Sequence, residues 1–137
     1  MIGILIIAHE DLGNSFVQCA SHIMGNQPPQ LTHLRINAGD DPDVILSGAL
    51  KLIRELDSGS GVLVLSDICG ATPCNIGSRL VRKGKVECLA GVNLPMLVRA
   101  LTYRHEPLAM ASEKALAGGK KGVLRILPEG GDAKPEN

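Results

Sequence analysis

Tryptophan is absent from this chain of 137 residues, and phenylalanine and tyrosine occur once each. A core without aromatic rings has to be aliphatic, built from the Leu, Ile, Val and Ala that dominate a hydrophobic content of 45%. Excess charge is missing too: 14 Lys and Arg balance 14 Asp and Glu. The nearest things to a basic block, Arg79–Arg82–Lys83–Lys85 and Lys120–Lys121, are too small to build a nucleic-acid surface, and no such partner is expected. No apolar run reaches the length of a membrane span, so stable membrane insertion is not expected either. The amino terminus lacks a charged region and a small-residue cleavage site, which argues against a signal peptide and for a cytoplasmic location. Cys19, Cys69, Cys74 and Cys88 form no CxxC pair and no zinc-knuckle spacing. They read as reduced, structural thiols, with Cys19 and Cys88 at apparent core positions.

What is present is a regular alternation of two hydrophobic periods, in a length that suits one domain. Met1–His9 is a short, β-branched apolar run and reads as a buried strand. Leu12, Phe16, Val17, Ala20, Ile23 and Met24 then recur at helical spacing, stopped by Gly25. Leu31–Ile36 is a second strand. Asp41–Pro42, a capping carboxylate before proline, opens a helix that continues to Leu56. Gly61–Asp67 is a third strand, and Thr72–Pro73 repeats the cap-then-proline signature ahead of Ile76, Leu80 and Val81. Val86–Ala90 is a fourth strand, and a helix follows Gly91–Val92–Asn93. Ala109–Ala117 reads as helix, ended by Gly118–Gly119, and Gly122–Leu127 as a fifth strand of undetermined direction. Pro128–Asn137 is polar, aperiodic and expected to be disordered. Strands alternating with helices predict an α/β fold: an open, doubly wound, mostly parallel sheet in flavodoxin-like order, helices on both faces, within residues 1–127.

In that order strands one and three are neighbours, and the crevice at their carboxyl ends is where such sheets bind ligands. His9 and Asp67 end those two strands. With adjacent strands about 4.8 Å apart, a carboxylate can reach the imidazole, fix its tautomer and leave the other ring nitrogen as a nucleophile. The small residues Gly70–Ala71–Thr72 can bring backbone N–H groups and a hydroxyl to an anion at the start of the next helix, with Asn75 as a further donor or a capping residue. The helix beginning near Asp11 points its amino end at the same place. Walker and dinucleotide fingerprints are absent. Among the other histidines, His22 and His33 read as surface or half-buried positions, and His105 is the one further candidate.

The strand ending in His9, the segment Ser66–Asp67–Ile68–Cys69–Gly70–Ala71–Thr72–Pro73–Cys74–Asn75, and Gly91–Val92–Asn93–Leu94–Pro95–Met96 resemble the mannose-type (mannose/fructose/sorbose) IIA component of the bacterial phosphoenolpyruvate-dependent sugar phosphotransferase system. The similarity runs over roughly Met1–Leu127. It implies a cytoplasmic phosphocarrier that takes a phosphoryl group from the phosphohistidine of HPr and passes it to a IIB domain, or acts as a regulatory phosphorylation sensor. By position, His9 matches the phosphorylated histidine with Nε2 as acceptor, Asp67 its partner, and Thr72 a hydroxyl near the phosphoryl group. Neither metal nor cofactor is implied. The resemblance also implies a homodimer in which the last strand, here Gly122–Leu127, is exchanged between subunits. There are departures: Ile68–Cys69 and Ala71 differ from the more common residues of that loop, which is expected to change donor preference more than the reaction, and the other lies beside the histidine. The family usually has glycine after the histidine, whereas this chain has Glu10, an acid that either repels the phosphoryl group or points into solvent.

Two other classes fit parts of the same pattern. A receiver-like or small-anion-binding module would use an acidic cluster made of Glu10, Asp11 and Asp67. A thiol-redox protein would use Cys69 and Cys74.

Overall fold

The computed structural model describes residues 1–68 and 72–130, and for residues 72–74 only the helical backbone. Four strands, β1 (Gly3–His9), β2 (Leu31–Ile36), β3 (Val62–Ser66) and β4 (Val86–Ala90), form one sheet in the order β2-β1-β3-β4. Every pairing is parallel. Five helices connect and follow them: α1 (Leu12–Met24), α2 (Pro42–Leu56), α3 (Thr72–Leu80), α4 (Leu94–Thr102) and α5 (Leu108–Lys121).

The period-two alternation of the strands sorts the core into two layers. Ile2, Ile4, Ile6, Ala8, Leu63 and Leu65 pack against α1, α4 and α5. Leu5, Ile7, Val62 and Val64 pack against α2 and α3. Both central strands are therefore buried on both faces, which is why they read as continuous apolar runs rather than alternating ones. Each fully buried Ile or Leu contributes roughly 1.5–3 kcal/mol to this aliphatic core. At the amino ends of the strands, the buried Arg104 donates to the carbonyls of Ile2, Pro29 and Gln30, tying the segment after α4 to the entries of β1 and β2.

The capping signals act as their chemistry requires. Asp41 accepts from the Asp43 N–H ahead of α2, and Asn93 accepts from the Met96 N–H ahead of α4. Gly25 ends α1 in the left-handed conformation.

Three expectations are corrected. Gly118–Gly119 does not end α5, which runs through both glycines to Lys121. Their role is close approach to α4: a Cβ on Gly118 would lie 3.0 Å from Arg99 Cβ, and one on Gly119 would lie 2.8 Å from Met96 Cε. Gly122–Leu127 forms no strand, so the described sheet has four strands rather than five. Cys19 is exposed, while Cys88 is half-buried against the α2–α3 layer. Residues 131–137, most of the expected tail, lie outside the described residues.

Candidate active site

Parallel pairing sets the position of the site. Ile7 is opposite Ser66, the last pair of the β1–β3 register, so the next residues, Ala8–His9 and Asp67–Ile68, run on side by side beyond it. The chain crosses from β1 to β2 over one face and from β2 to β3 over the other, so these tips lie at the point where the winding reverses.

His9 Nδ1 lies 2.8 Å from Asp67 Oδ2, and the same oxygen accepts the His9 backbone N–H at 3.0 Å. Asp67 Oδ1 accepts the N–H of Ile68 at 2.8 Å. One carboxylate thus holds the imidazole at two points while its own turn fixes it. Because a carboxylate can only accept, Nδ1 carries the proton, and the lone pair of the neutral ring is at Nε2. The His9 side chain is 46% exposed and that of Asp67 11%, so the imidazole is open to solvent and the carboxylate that holds it is sheltered. Burial alone would raise the Asp67 carboxyl. The hydrogen bonds from His9 N–H, the His9 ring and Ile68 N–H, with the charge of His9, outweigh it and hold the group below its ordinary value of 3.8.

The residue after His9 adopts φ 51°, a left-handed backbone uncommon for anything but glycine. A Glu10 in that conformation is the physical counterpart of the glycine usual there in the family the sequence resembles. Its side chain is exposed and its carboxylate is paired. Arg35 Nη2 donates to Glu10 Oε2 at 2.7 Å, and Nη1 donates to Asp11 Oδ1. Arg35 was not legible as a site residue. The available signal was that β2 flanks β1 in this order and that Arg35 falls opposite Ala8, one step from His9.

Of the expected phosphoryl cradle, Gly70 and Ala71 lie outside the described residues, as does Cys69. Thr72 is the first residue of α3, whose amino end follows the Asp67 turn by a few residues. The loop leaving β4 is tied to the same edge through the Val92 N–H and the Ser66 carbonyl, at 2.9 Å. His105 follows Arg104, whose contact with Ile2 O places it at the opposite end of β1, so the structure does not bring His105 to the site. Among the described residues no cluster of three His, Cys, Asp or Glu side chains is arranged to hold a metal ion.

A parallel α/β sheet with an imidazole–carboxylate pair at its switch point defines a class: an open-sheet domain presenting a histidine oriented by a carboxylate. The comparisons with known proteins narrow it. The family described as "PTS system fructose IIA component" matches residues 3–117. The mannose-specific EIIAB component of the phosphotransferase system from Escherichia coli K12 is 31% identical over 128 residues, which cover 91% of this chain and 39% of that protein. The chain thus spans about two fifths of the length of this relative. The fructose-specific EIIA component of Bacillus subtilis is 27% identical over 111 residues, covering 80% of this chain and 75% of that one. Among solved structures, the EIIA component from Streptococcus agalactiae superposes with a TM-score of 0.81 at 25% identity, covering 91% of this chain and 97% of the other. The mannose/sorbose-specific IIA subunit from Enterococcus faecalis shares the fold, with a TM-score of 0.82 at 21% identity over 93% and 97%. The chain belongs to this family of mannose-type IIA components of the phosphotransferase system. With that comes the family's general role, that of a phosphocarrier component in sugar phosphotransfer.

Proposed function

We propose that His9 carries the phosphoryl group, accepting it on Nε2 from the phosphohistidine of HPr and passing it to a IIB domain or a regulatory target. The observation that supports this most is the double hold of Asp67 Oδ2 on His9, which engages Nδ1 and leaves Nε2 as the ring nitrogen available to phosphorus. The Nε2 lone pair forms the new bond to phosphorus as the donor imidazole leaves with the electrons of the breaking P–N bond. The Nδ1 proton stays on the ring, and Asp67 stabilises the positive charge that develops there. Two ring nitrogens of similar basicity exchange the group nearly isoenergetically, so the step needs no metal ion. Gly70, Ala71 and Thr72 are the proposed phosphoryl cradle; the start of α3 at Thr72 supports this, since a helix amino end favours an anion. A homodimer and a cytoplasmic setting belong to the same reading.

The receiver-like alternative needs Glu10, Asp11 and Asp67 to converge, whereas the first two carboxylates turn to Arg35 and the third to His9. Incubation with enzyme I, HPr and radiolabelled phosphoenolpyruvate tests the reading directly. The expected product is an acid-labile, base-stable label that disappears in His9→Ala. A label retained in that variant, or one labile to base as an aspartyl phosphate is, sinks the assignment.

A further inference from the structure

Three observations at the tip of β1 converge on Arg35. Its guanidinium bridges Glu10 and Asp11, the two residues that follow His9, while Asn37 Oδ1 holds Nε at 2.7 Å. Glu10 occupies a left-handed backbone at φ 51°, a conformation that L-residues other than Asn and Asp rarely adopt. Asp11 stands at the N-cap of α1 and yet makes no capping bond with its side chain. A carboxylate there ordinarily accepts an N–H from the first turn; here it is drawn to Arg35 instead. The first turn of α1 carries no acidic residue of its own, so its amides are left without a carboxylate acceptor.

We propose that Arg35 is a positioning residue for phosphoryl transfer at His9. Its charge compensates the Glu10 and Asp11 carboxylates, which would otherwise oppose an incoming phosphoryl group. With Arg35 the three side chains carry a net charge of −1; without it, Glu10 and Asp11 present −2 beside the nucleophile. These ion pairs are exposed and add little to stability. Their consequence falls on transfer, where a doubly negative group must approach. The inference rests on His9 being the acceptor.

A charge-removal cycle tests it, with transfer from radiolabelled phospho-HPr as the readout. Arg35→Gln is expected to lower the maximal rate on the order of tenfold, the scale of an uncompensated like charge near a protein surface, with KM for phospho-HPr changed less than about twofold. The neutral turn, Glu10→Gln with Asp11→Asn, is expected to transfer at the parental rate or faster. Adding Arg35→Gln to that background should then cost nothing. The proposal is overturned by an Arg35→Gln protein that transfers at the parental rate, by an equal loss in both backgrounds, or by a rise in KM alone, which would make Arg35 a partner contact. Arg35→Lys serves in the same cycle if the Gln variant loses the parental thermal transition, with a smaller loss of the same kind expected. A parent protein that takes no label overturns the acceptor reading and this proposal together. A labelled parent with a neutral Arg35→Gln overturns Arg35 alone.

Discussion

The contact between His9 and Asp67 has a defined dependence on pH. The folded Asp67 carboxyl titrates below its ordinary value of 3.8, so the native state binds this proton less readily than the unfolded chain does. The stabilisation it brings is therefore complete above the ordinary carboxyl range and is lost as the pH falls through the folded value. Asp67→Ala should be less stable than the parent at pH 7, and the difference should shrink below about pH 4. Urea midpoints at the two pH values measure this, and a difference that stays constant would separate the depressed titration from the His9 contact. The same variant should slow phosphoryl acceptance on the order of a hundredfold, because the ring loses both its tautomer preference and the counter-charge to its developing cation. An unchanged rate with a folded domain would leave Asp67 as a turn residue only. His9 and Asp67 were legible because each ends an apolar strand abruptly, and one topological rule joins them. Arg35 was not, because a single arginine in a half-exposed strand has no pattern of its own. Its role depends on which strand lies next to β1 and on the backbone sign at Glu10, and both are tertiary facts.

Glycine shows most clearly where an element can be read from sequence and where it cannot. Gly25, after a run of helical period, correctly marks the end of α1. The pair Gly118–Gly119 follows a similar run and looks the same, yet α5 continues through it, because the missing side chains make room for α4. Nothing local distinguishes a glycine that stops a helix from one that lets a second helix come close. A helical glycine packed against a neighbour and one facing open space respond oppositely to alanine. Gly118→Ala would drive a methyl group toward Arg99 and the Pro95 carbonyl, the latter 3.2 Å away, and should destabilise the domain by about 1–3 kcal/mol as overpacking does. Gly48→Ala in the middle of α2 meets nothing within 4 Å and should stabilise by roughly 0.5–1 kcal/mol through helix propensity. Thermal or urea unfolding of the two variants checks both signs, and a stabilising Gly118→Ala would refute the close-packing role. Where helix starts carried side-chain chemistry, as at Asp41–Pro42 and Asn93, the sequence was a sufficient guide, since the cap and the N–H that donates to it lie within three residues.

At the scale of the whole molecule, the segment expected as a fifth strand has no place in the chain's own sheet. Val123 is 77% exposed and Ile126 89%, with Leu124 also exposed, so a run of aliphatic side chains follows α5 without a core to enter. The sheet has a matching gap. β3 is buried at every residue, whereas in β4 all but Val86 are only half-buried, as befits an edge lacking a neighbour. Edges of that kind recruit further strands unless something covers them. The expectation of a strand at Gly122–Leu127 fails within the chain itself, and a single sequence carries no mark of whether such a segment would pair with its own sheet or with that of another copy. On the homodimer reading, the segment from one subunit extends the β4 edge of the other. In that arrangement the protein should sediment as a dimer at micromolar concentration, and replacing Val123 and Ile126 by aspartate should shift it to monomer with little loss of helical signal, since neither side chain is buried within its own subunit. Sedimentation equilibrium measures both states. A monomeric parent would rule out the exchange, and a variant that stays dimeric would move the interface to another surface of the molecule.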